Sequence, residues 1–439
     1  MVTCTSREAS PKPAPASTTD VVAKGGVEMR IRKVAMLAAA LLAACGGGGG
    51  SGPDDGVTAR DDFNGIAAAD MNRDGLTDLV AARFSIREDG TRRSHIVVLL
   101  QDAARPGRFG TPREYPYAPT LVTPQEIVAA DLQGDGLPDV VASGLSEAGF
   151  RVFLNDPAAP GTLLPGTHYG AGVDAVGWPK LAVADMDGDA RPDVVIADDS
   201  LLVYYPQGAA SPGSFLGART IGAGFEGVGV GDLDGDGLID AATFEGDWQN
   251  SVPDTLLCYR QNPAAPGQFL AGPRIDFGFS GTQIAVADLD GDGRRDFAVS
   301  GFDIDSSYNL HERMAPIYQL DPDFVPASPL STRGRSVSVR LAVADLDGDG
   351  QLEIVVGGTQ VRIYGRTAAG SFALTRSLAV PEYATASCSG VVVADLNDDA
   401  QPDIAVSMGD ISEGRIFVFF AVPGQPGAFA EAIQVAPAP

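Results

Sequence analysis

The sequence predicts an all-β protein, a seven-bladed β-propeller in which each blade is a four-stranded antiparallel sheet. Three observations lead to this class. An aspartate-rich segment flanked by apolar runs occurs seven times, and spacings of this size indicate a repeat architecture. The 54 glycines and 31 prolines, without long amphipathic helical patterns, are typical of short strands joined by tight turns. The strands of each repeat also differ in side-chain size, which suggests a wedge-shaped blade.

The repeated segment is clearest in the fifth copy, which reads IAVADLDGDGRRDFAVS from Ile284 to Ser300. Successive copies are separated by 61, 54, 47, 56, 57 and 50 residues, measured between their first aspartates. Those first aspartates are Asp70, Asp131, Asp185, Asp232, Asp288, Asp345 and Asp395. A closed repeat array of this kind can occupy the whole region as one unit.

The third repeat is short and shows the four predicted strands of a blade. They are Leu181–Ala184, Asp193–Ile196, Leu201–Tyr205 and Phe215–Ile221. First strands are made of small apolar residues, as expected near a central axis, whereas aromatic residues fall in third and fourth strands. The last copy retains a fourth strand, predicted at residues 429–435. We therefore expect the ring to close by packing of blade seven against blade one, without an exchanged strand.

The formal net charge of −26 argues against a nucleic-acid partner, because phosphate binding depends on clusters of Lys and Arg. Loop positions one, three, five and nine supply 25 of the 57 acidic residues. The charge is therefore concentrated in the repeated loops. Cys258 and Cys388 are the cysteines of the repeat region, and the sequence leaves open whether they pair or are two small buried residues.

The segment before the repeats has the composition of an export signal. Residues 29–45 carry Arg30, Arg32 and Lys33, then an apolar stretch, then Leu42-Ala-Ala-Cys45. This pattern predicts a secretory signal, and its end resembles the bacterial lipobox, whose cysteine is lipidated. An ordinary signal peptide or a short buried helix are the alternatives. We interpret residues 1–28 as an over-extended start, 46–60 as a glycine-rich linker and 61–439 as the propeller.

Within each loop, carboxylates at alternate positions and a last one four residues later can converge on a hard cation, and Ca²⁺ prefers such oxygen ligands. We predict up to seven calcium ions, held by side chains at positions one, three, five and nine and by the backbone carbonyl at position seven. The predicted ligands are Asp70, Asn72, Asp74, Leu76, Asp78; Asp131, Gln133, Asp135, Leu137, Asp139; Asp185, Asp187, Asp189, Arg191, Asp193; Asp232, Asp234, Asp236, Leu238, Asp240; Asp288, Asp290, Asp292, Arg294, Asp296; Asp345, Asp347, Asp349, Gln351, Glu353; Asp395, Asn397, Asp399, Gln401 and Asp403.

The acidic loops have two alternative interpretations, an EF-hand and a set of turns without metal. An EF-hand requires a bidentate Glu at position twelve between helices, but the residues there are Ala81, Ala142, Ile196, Thr243, Val299, Val356 and Val406. Alternatively, the aspartates form turns without metal, although converging carboxylates without a counter-charge repel one another. The loops should also differ in affinity. Blades four, five and six combine four carboxylates with glycine at position six, whereas blade two has Gln133 and blade seven has Asn397 and Ala400.

These loops, DLDGDGRRD from Asp288 and its six counterparts, resemble those of the FG-GAP/VCBS repeat family, which includes the propeller heads of integrin α subunits and many secreted bacterial proteins. The resemblance covers residues 61–439. It implies a propeller with calcium between the first two strands of a blade, and it implies no particular ligand. The Phe-Gly and Gly-Ala-Pro elements of the family are present only loosely, for example at Phe109-Gly110.

No catalytic residue is predicted, since the histidines His95, His168 and His311 lie in dissimilar contexts. We expect a calcium-binding binding or adhesion module for a protein or glycan, exported and lipid-anchored through Cys45 to the bacterial envelope, on the outer membrane and facing the periplasm or the surface. A monomer is expected. The alternative is a calcium-dependent polysaccharide lyase or hydrolase on the same scaffold. Two irregular inserts, Glu245–Thr255 with Trp248 and Phe302–Met314 with Tyr308, are predicted to mark the functional face.

Overall fold

The computed structural model is built of seven antiparallel β-sheets arranged as the blades of a propeller, as predicted. It describes residues 60–435 except 88, 119–121, 146, 171–178, 198–199, 248–251, 308, 321–322, 333, 335, 337–338, 381–386 and 410–413. The predicted signal segment, Cys45 and the linker up to residue 59 lie outside the described residues, as do Trp248 and Tyr308. Every element in the described part is a strand, and it contains no helix that could cross a membrane.

The first strands of the seven blades carry the small apolar residues noted in the sequence. They are β1 (Arg60–Ala69), β5 (Thr123–Ala130), β9 (Lys180–Ala184), β13 (Phe225–Gly231), β17 (Ser280–Ala287), β22 (Arg340–Ala344) and β26 (Ser387–Ala394). Each of these strands contacts the first strands of the two neighbouring blades, and β26 contacts β1. The first strands therefore form the innermost ring around the axis.

The second strands all begin at loop position nine. They are β2 (Asp78–Ile86), β6 (Asp139–Leu145), β10 (Asp193–Ala197), β14 (Asp240–Asp247), β18 (Asp296–Ile304), β23 (Glu353–Gly357) and β27 (Asp403–Gly409). The third strands follow them outward. They are β3 (Arg92–Leu99), β7 (Phe150–Phe153), β11 (Leu201–Tyr205), β15 (Val252–Gln261), β19 (Leu310–Leu320), β24 (Val361–Arg366) and β28 (Arg415–Phe419).

The fourth strands form the outer edges. They are β4 (Arg113–Pro116), β8 (Thr167–Tyr169), β12 (Arg219–Ala223), β16 (Phe269–Asp276), β20 (Asp323–Pro326), β25 (Phe372–Leu378) and β29 (Ile433–Gln434). Blade five adds a short strand, β21 (Leu330–Ser331), which pairs with β19.

The predicted fourth strands in blades three and seven began too early. After the turn, Phe215 makes only an isolated bridge with Gln207, and Phe429 does the same with Ala421. Because the chain leaves the sheet again before it pairs with the third strand, β12 begins at Arg219 rather than at Phe215, and β29 is confined to Ile433–Gln434.

The hydrophobic core is divided among the interfaces between neighbouring blades. Seven clusters of buried side chains each combine residues from two adjacent blades. One of them packs Phe63 and Leu79 of blade one against Leu396 and Val418 of blade seven. Since β26 to β29 form a complete sheet, the predicted face-to-face closure of the ring is confirmed.

The two predicted inserts are not irregular loops but extensions of the hairpins between second and third strands. In blade four the pairing of β14 with β15 continues to Asp247 opposite Val252. In blade five the pairing of β18 with β19 continues to Ile304 opposite Leu310. In an antiparallel meander these hairpins lie at the opposite end of the blade from the acidic loops. The hairpin of blade one is equally long, since β2 pairs with β3 as far as Ile86 opposite Arg92. Blades one, four and five therefore extend furthest at the end away from those loops.

Candidate metal centre

Each acidic loop is held by a pair of residues that face each other across the first two strands. In blade five Ala287 is paired with Asp296, so the intervening residues must turn back within one tight loop. The same pairing joins the residue before position one to position nine in the other blades, for example Ala130 with Asp139 and Ala344 with Glu353. The sheet register therefore fixes both ends of every loop.

The aspartate at position one folds the loop around its own carboxylate. In blade five Oδ1 of Asp288 accepts hydrogen bonds from the backbone N–H of Gly291 at 2.7 Å and of Asp292 at 3.1 Å. Its Oδ2 accepts one from the N–H of Gly293 at 2.8 Å. Asp232 makes the same contacts in blade four. Position one therefore organises the loop backbone and places its carboxylate at the loop centre.

The carboxylate at position nine lies beneath the loop. Oδ2 of Asp296 accepts the backbone N–H of Leu289 at 2.9 Å, and Oδ1 accepts that of Gln319 at 2.8 Å. Burial raises the pKa of Asp296 to about 6, although these two hydrogen bonds oppose the shift. Burial has the same effect on the aspartates at this position in five other blades, whose pKa values are also raised to about 6: Asp78, Asp139, Asp193, Asp240 and Asp403. The pKa of Glu353 is raised to about 7.

Positions one, three and nine converge in four blades. In each of these blades one ligand atom from each of three carboxylates lies within 4.8 Å of the other two. The groups are Asp185, Asp187, Asp193; Asp232, Asp234, Asp240; Asp288, Asp290, Asp296; and Asp345, Asp347, Glu353. Blades one, two and seven have the amides Asn72, Gln133 and Asn397 at position three. An all-oxygen donor set of this kind fits a hard divalent cation such as Ca²⁺.

Position five lies outside these groups and supports the turn that follows it. In blade five Oδ1 of Asp292 accepts the backbone N–H of Arg294, and Oδ2 accepts its guanidinium Nε–H, both at 2.9 Å. The same contact with the position-seven N–H recurs at Asp74 and Asp236. In blades three to six the structure therefore brings together three of the predicted side-chain positions, one, three and nine, and metal ligation stays a prediction at every position.

Position six adopts a left-handed backbone in all seven loops. Its φ is +86° at Gly237, +88° at Gly293 and +85° at Gly350. The two non-glycine residues at this position, Ala190 and Ala400, have φ of 64° and 63°. Because a Cβ crowds the backbone in this region, these two loops are strained at position six, where the other five have glycine.

A set of amide side chains supports the loops from below, and the sequence analysis missed it. Nε2 of Gln261 donates to the carbonyl oxygen of Ile239 at 2.9 Å, and its Oε1 accepts the N–H of Gly267 at 3.2 Å. The same pair of contacts is made by Gln101, Asn155 and Gln207. The sequence contains a pattern that could have predicted this set, because each amide residue precedes the glycine of the next turn by six residues.

The acidic loop of one blade touches the turn between the third and fourth strands of the next. A Cβ added at Gly267 in blade four would lie 2.9 Å from the Cβ of Asp187 in blade three. The hydroxyl of Tyr204 in blade three donates to the carbonyl oxygen of Gly267 at 2.9 Å. The loops are therefore linked from blade to blade along one end of the propeller.

Other residues singled out from the sequence have structural roles. Cys258 and Cys388 are buried free thiols that do not pair, and burial raises the pKa of each to about 12. His168 and His311 lie on β8 and β19 rather than in loops. Nε2 of His168 is 2.9 Å from the carbonyl oxygen of Ala148, and Nε2 of His311 is 3.1 Å from Oδ2 of Asp305.

The repeated segments match a known family of sequence repeats. The family described as FG-GAP-like repeat matches residues 131–196, 232–299 and 345–406. Each match begins at the first aspartate of one loop and ends in the second strand of the following blade, so three matches include six of the seven loops. No curated protein matches the sequence.

Among solved structures, the chain is similar to a lectin of Agrocybe aegerita that recognises non-reducing terminal N-acetylglucosamine, with 16% identity over 86% of this chain and 90% of that one and a TM-score of 0.49. It is also similar to rhamnogalacturonan lyase PL11 of Bacillus licheniformis, with 16% identity over 84% and 73% and a TM-score of 0.40. A protein from Lactobacillus plantarum matches with 11% identity over 87% and 97% and a TM-score of 0.48. No ligand or activity follows from likenesses this distant. The matched segments and the blades that carry them show that this seven-bladed β-propeller contains three FG-GAP-like repeats.

Proposed function

We propose that the protein is a calcium-binding propeller and that calcium stabilises its ring. The observation that carries this proposal is the convergence of three carboxylates within 4.8 Å in each of blades three to six. Like charges at this separation disfavour the folded loop unless a cation or protons neutralise them. Asp185, Asp232, Asp288 and Asp345 would bind the ion from position one, together with their partners at positions three and nine.

Calcium modules of extracellular proteins bind with Kd of about 10⁻⁴–10⁻³ M. At roughly millimolar calcium, each occupied site would then add about 0.4–1.4 kcal/mol by mass action. Several sites together would contribute a substantial part of the free energy of unfolding of a folded domain, which is about 5–15 kcal/mol. The melting temperature should therefore depend strongly on calcium.

The test is isothermal calorimetry of calcium binding to chelator-treated protein, with melting curves before and after calcium is restored. Asp288→Asn should remove about one binding equivalent and lower the calcium-dependent rise in Tm. Asp323→Asn is the matched control, because Asp323 is an exposed aspartate on β20 outside the loops. A melting temperature indifferent to chelator would exclude the proposal.

We further propose that the calcium-loaded ring is a rigid scaffold for a protein or glycan ligand. The extended hairpins of blades four and five, at the end of the propeller opposite the acidic loops, support a binding face there. Binding residues commonly project from connections that a rigid scaffold positions. A glycan array probed with the protein, and with a variant in which Ser306–Asn309 is replaced by a two-residue turn, would test this. Glycan binding unchanged by the shortened hairpin would place the ligand elsewhere.

Export and lipid anchoring through Cys45 are proposed from the sequence of residues 29–45 alone. The anchor would hold a monomeric propeller on the bacterial envelope by a glycine-rich linker. Mass spectrometry of the mature protein is the test. An amino terminus other than an acylated Cys45 would contradict the lipoprotein assignment and leave the calcium proposal unaffected.

A further inference from the structure

Three charged side chains from three different blades meet inside the ring of first strands. Oε2 of Glu126 on β5 accepts a hydrogen bond from Nζ of Lys180 on β9 at 2.8 Å. The same oxygen accepts a second hydrogen bond from Nη1 of Arg340 on β22 at 2.9 Å. Blade two therefore makes a direct ionic contact with blade three, its neighbour, and with blade six, which is not its neighbour.

The contact between Glu126 and Arg340 must cross the central axis. Around the ring β5 contacts β1 and β9, whereas β22 contacts β17 and β26. Blades two and six are separated by blades one and seven on the shorter way round. Side chains on these two innermost strands can meet only through the space that the ring encloses.

The three residues lie at one level of the channel. Glu126, Lys180 and Arg340 each precede the first aspartate of their own loop by five residues. At about 3.3 Å per strand residue, this places them roughly 16 Å from the acidic loops. The equivalent residues of the other blades are Gly65, Gly227, Gln283 and Gly390. Because three of these four have no side chain, long charged side chains can meet across the axis at this level.

Charge in this cluster is balanced and largely shielded from water. The side chains of Glu126, Lys180 and Arg340 are 17%, 13% and 9% exposed. Burial raises the pKa of Glu126, but Lys180 and Arg340 more than offset it and lower the pKa to about 2. Burial and Arg340 lower the pKa of Lys180, and Glu126 together with Glu226 on β13 opposes them. The charge of Glu226 thus adds to that of Glu126 in offsetting the two cations.

We propose that Glu126, Lys180 and Arg340 form a brace across the propeller axis, which couples blades two and three directly to blade six. Loss of Glu126 leaves Lys180 and Arg340 without the carboxylate that pairs with both. Loss of Arg340 removes the contact across the axis and leaves Glu126 paired with Lys180 alone. Local opening of blade two then weakens blade six directly, without any change in the packing of the blades between them. The brace acts in addition to the hydrophobic packing of blade one against blade seven.

The test compares amide hydrogen exchange, strand by strand, in the calcium-saturated full chain and its variants. Glu126→Gln should raise exchange in β22 as well as in β5, and lower Tm by roughly 4–6 °C. Arg340→Gln should raise exchange in β5 in return. The double variant should be less destabilised than the sum of the single variants, because it removes both ends of the ionic contact.

Glu245→Gln is the matched control. It breaks an ion pair with Arg274 that is exposed and lies within blade four, so Tm should shift by no more than about 1 °C. If Glu126→Gln does not fold, Arg340→Lys retains the charge with fewer donors and should raise exchange in β5 more weakly than Arg340→Gln. The brace would be overturned if the destabilisation of the double variant equalled the sum of the two single variants. It would also be overturned if hydrogen exchange changed only in the mutated blade.

Discussion

The backbone N–H of Gln261 donates a hydrogen bond of 2.7 Å to Oδ1 of Asp240, which joins the end of a third strand to loop position nine of the same blade. The Gln261 side chain ties Ile239 in that loop to Gly267 in the following turn. One residue therefore supports the candidate metal loop through its backbone and through both ends of its amide.

Gln261→Ala should destabilise the protein by about 1–2 kcal/mol, because it leaves the half-buried carbonyl of Ile239 and the N–H of Gly267 without the partners they have now. The free energy of unfolding from urea denaturation measures the loss. Gln268→Ala is the control, since that side chain lies in the same turn without making these contacts in the described structure. Equal effects of the two changes would contradict the supporting role.

Ala400→Gly should stabilise blade seven, and Ala190→Gly blade three, each by about 1 kcal/mol. Both alanines occupy a left-handed conformation that costs a residue with a Cβ roughly 1–2 kcal/mol, and the greater freedom of glycine in the unfolded chain offsets part of that gain. Thermal unfolding in the presence of chelator measures the effect without calcium. The reciprocal change Gly237→Ala should destabilise, and stabilisation by it would refute the argument.

Calcium affinity should fall as pH is lowered through about 6. The pKa of Asp296 and of its counterparts is raised to about 6 in the metal-free protein, so below that pH protons occupy the carboxylates that calcium needs. Calorimetry at pH 7.5, 6 and 5 measures the affinity, and the number of protons released on binding should rise as the pH falls, from about one half per site near pH 6 towards about one at pH 5.

Without calcium, lowering the pH should stabilise the folded protein. The folded pKa of these carboxyls lies above the ordinary value of 3.8, so the folded state binds more protons than the unfolded state between these values. Tm of the chelated protein should therefore rise between pH 7.5 and 5, while Tm of the calcium-loaded protein falls. If lowering the pH changed the Tm of the chelated and of the calcium-loaded protein in the same direction, the assignment of the position-nine carboxyls as calcium ligands would be contradicted.

The loops should open in a fixed order as calcium is withdrawn, with blade seven before blade five. Blade seven has Asn397 in place of a carboxylate and strained Ala400, whereas blade five has the converging group of Asp288, Asp290 and Asp296. Hydrogen exchange at stepped calcium concentrations follows each loop separately. Faster exchange in the loop at Asp288 than in the loop at Asp395 would reverse the order.

The sequence by itself determined the number of blades, their four-stranded pattern and the position of every acidic loop. It could do so because these are local properties repeated seven times: Asp288 to Asp296 and its counterparts lie within nine residues, and apolar runs flank each copy. The need for a positive φ at position six was also predictable, since glycine recurs there and alanine replaces it only at Ala190 and Ala400.

Only the tertiary structure decided which residues act together over longer distances. Whether position five joins positions one, three and nine depends on how the loop backbone uses Asp292, and that hydrogen bonding is not written in the spacing. Glu126 and Arg340 are 214 residues apart and meet because seven blades close into a ring. A local pattern fixes a strand or a loop, whereas contacts across the axis depend on the rotation between blades, to which the packing of all seven interfaces contributes.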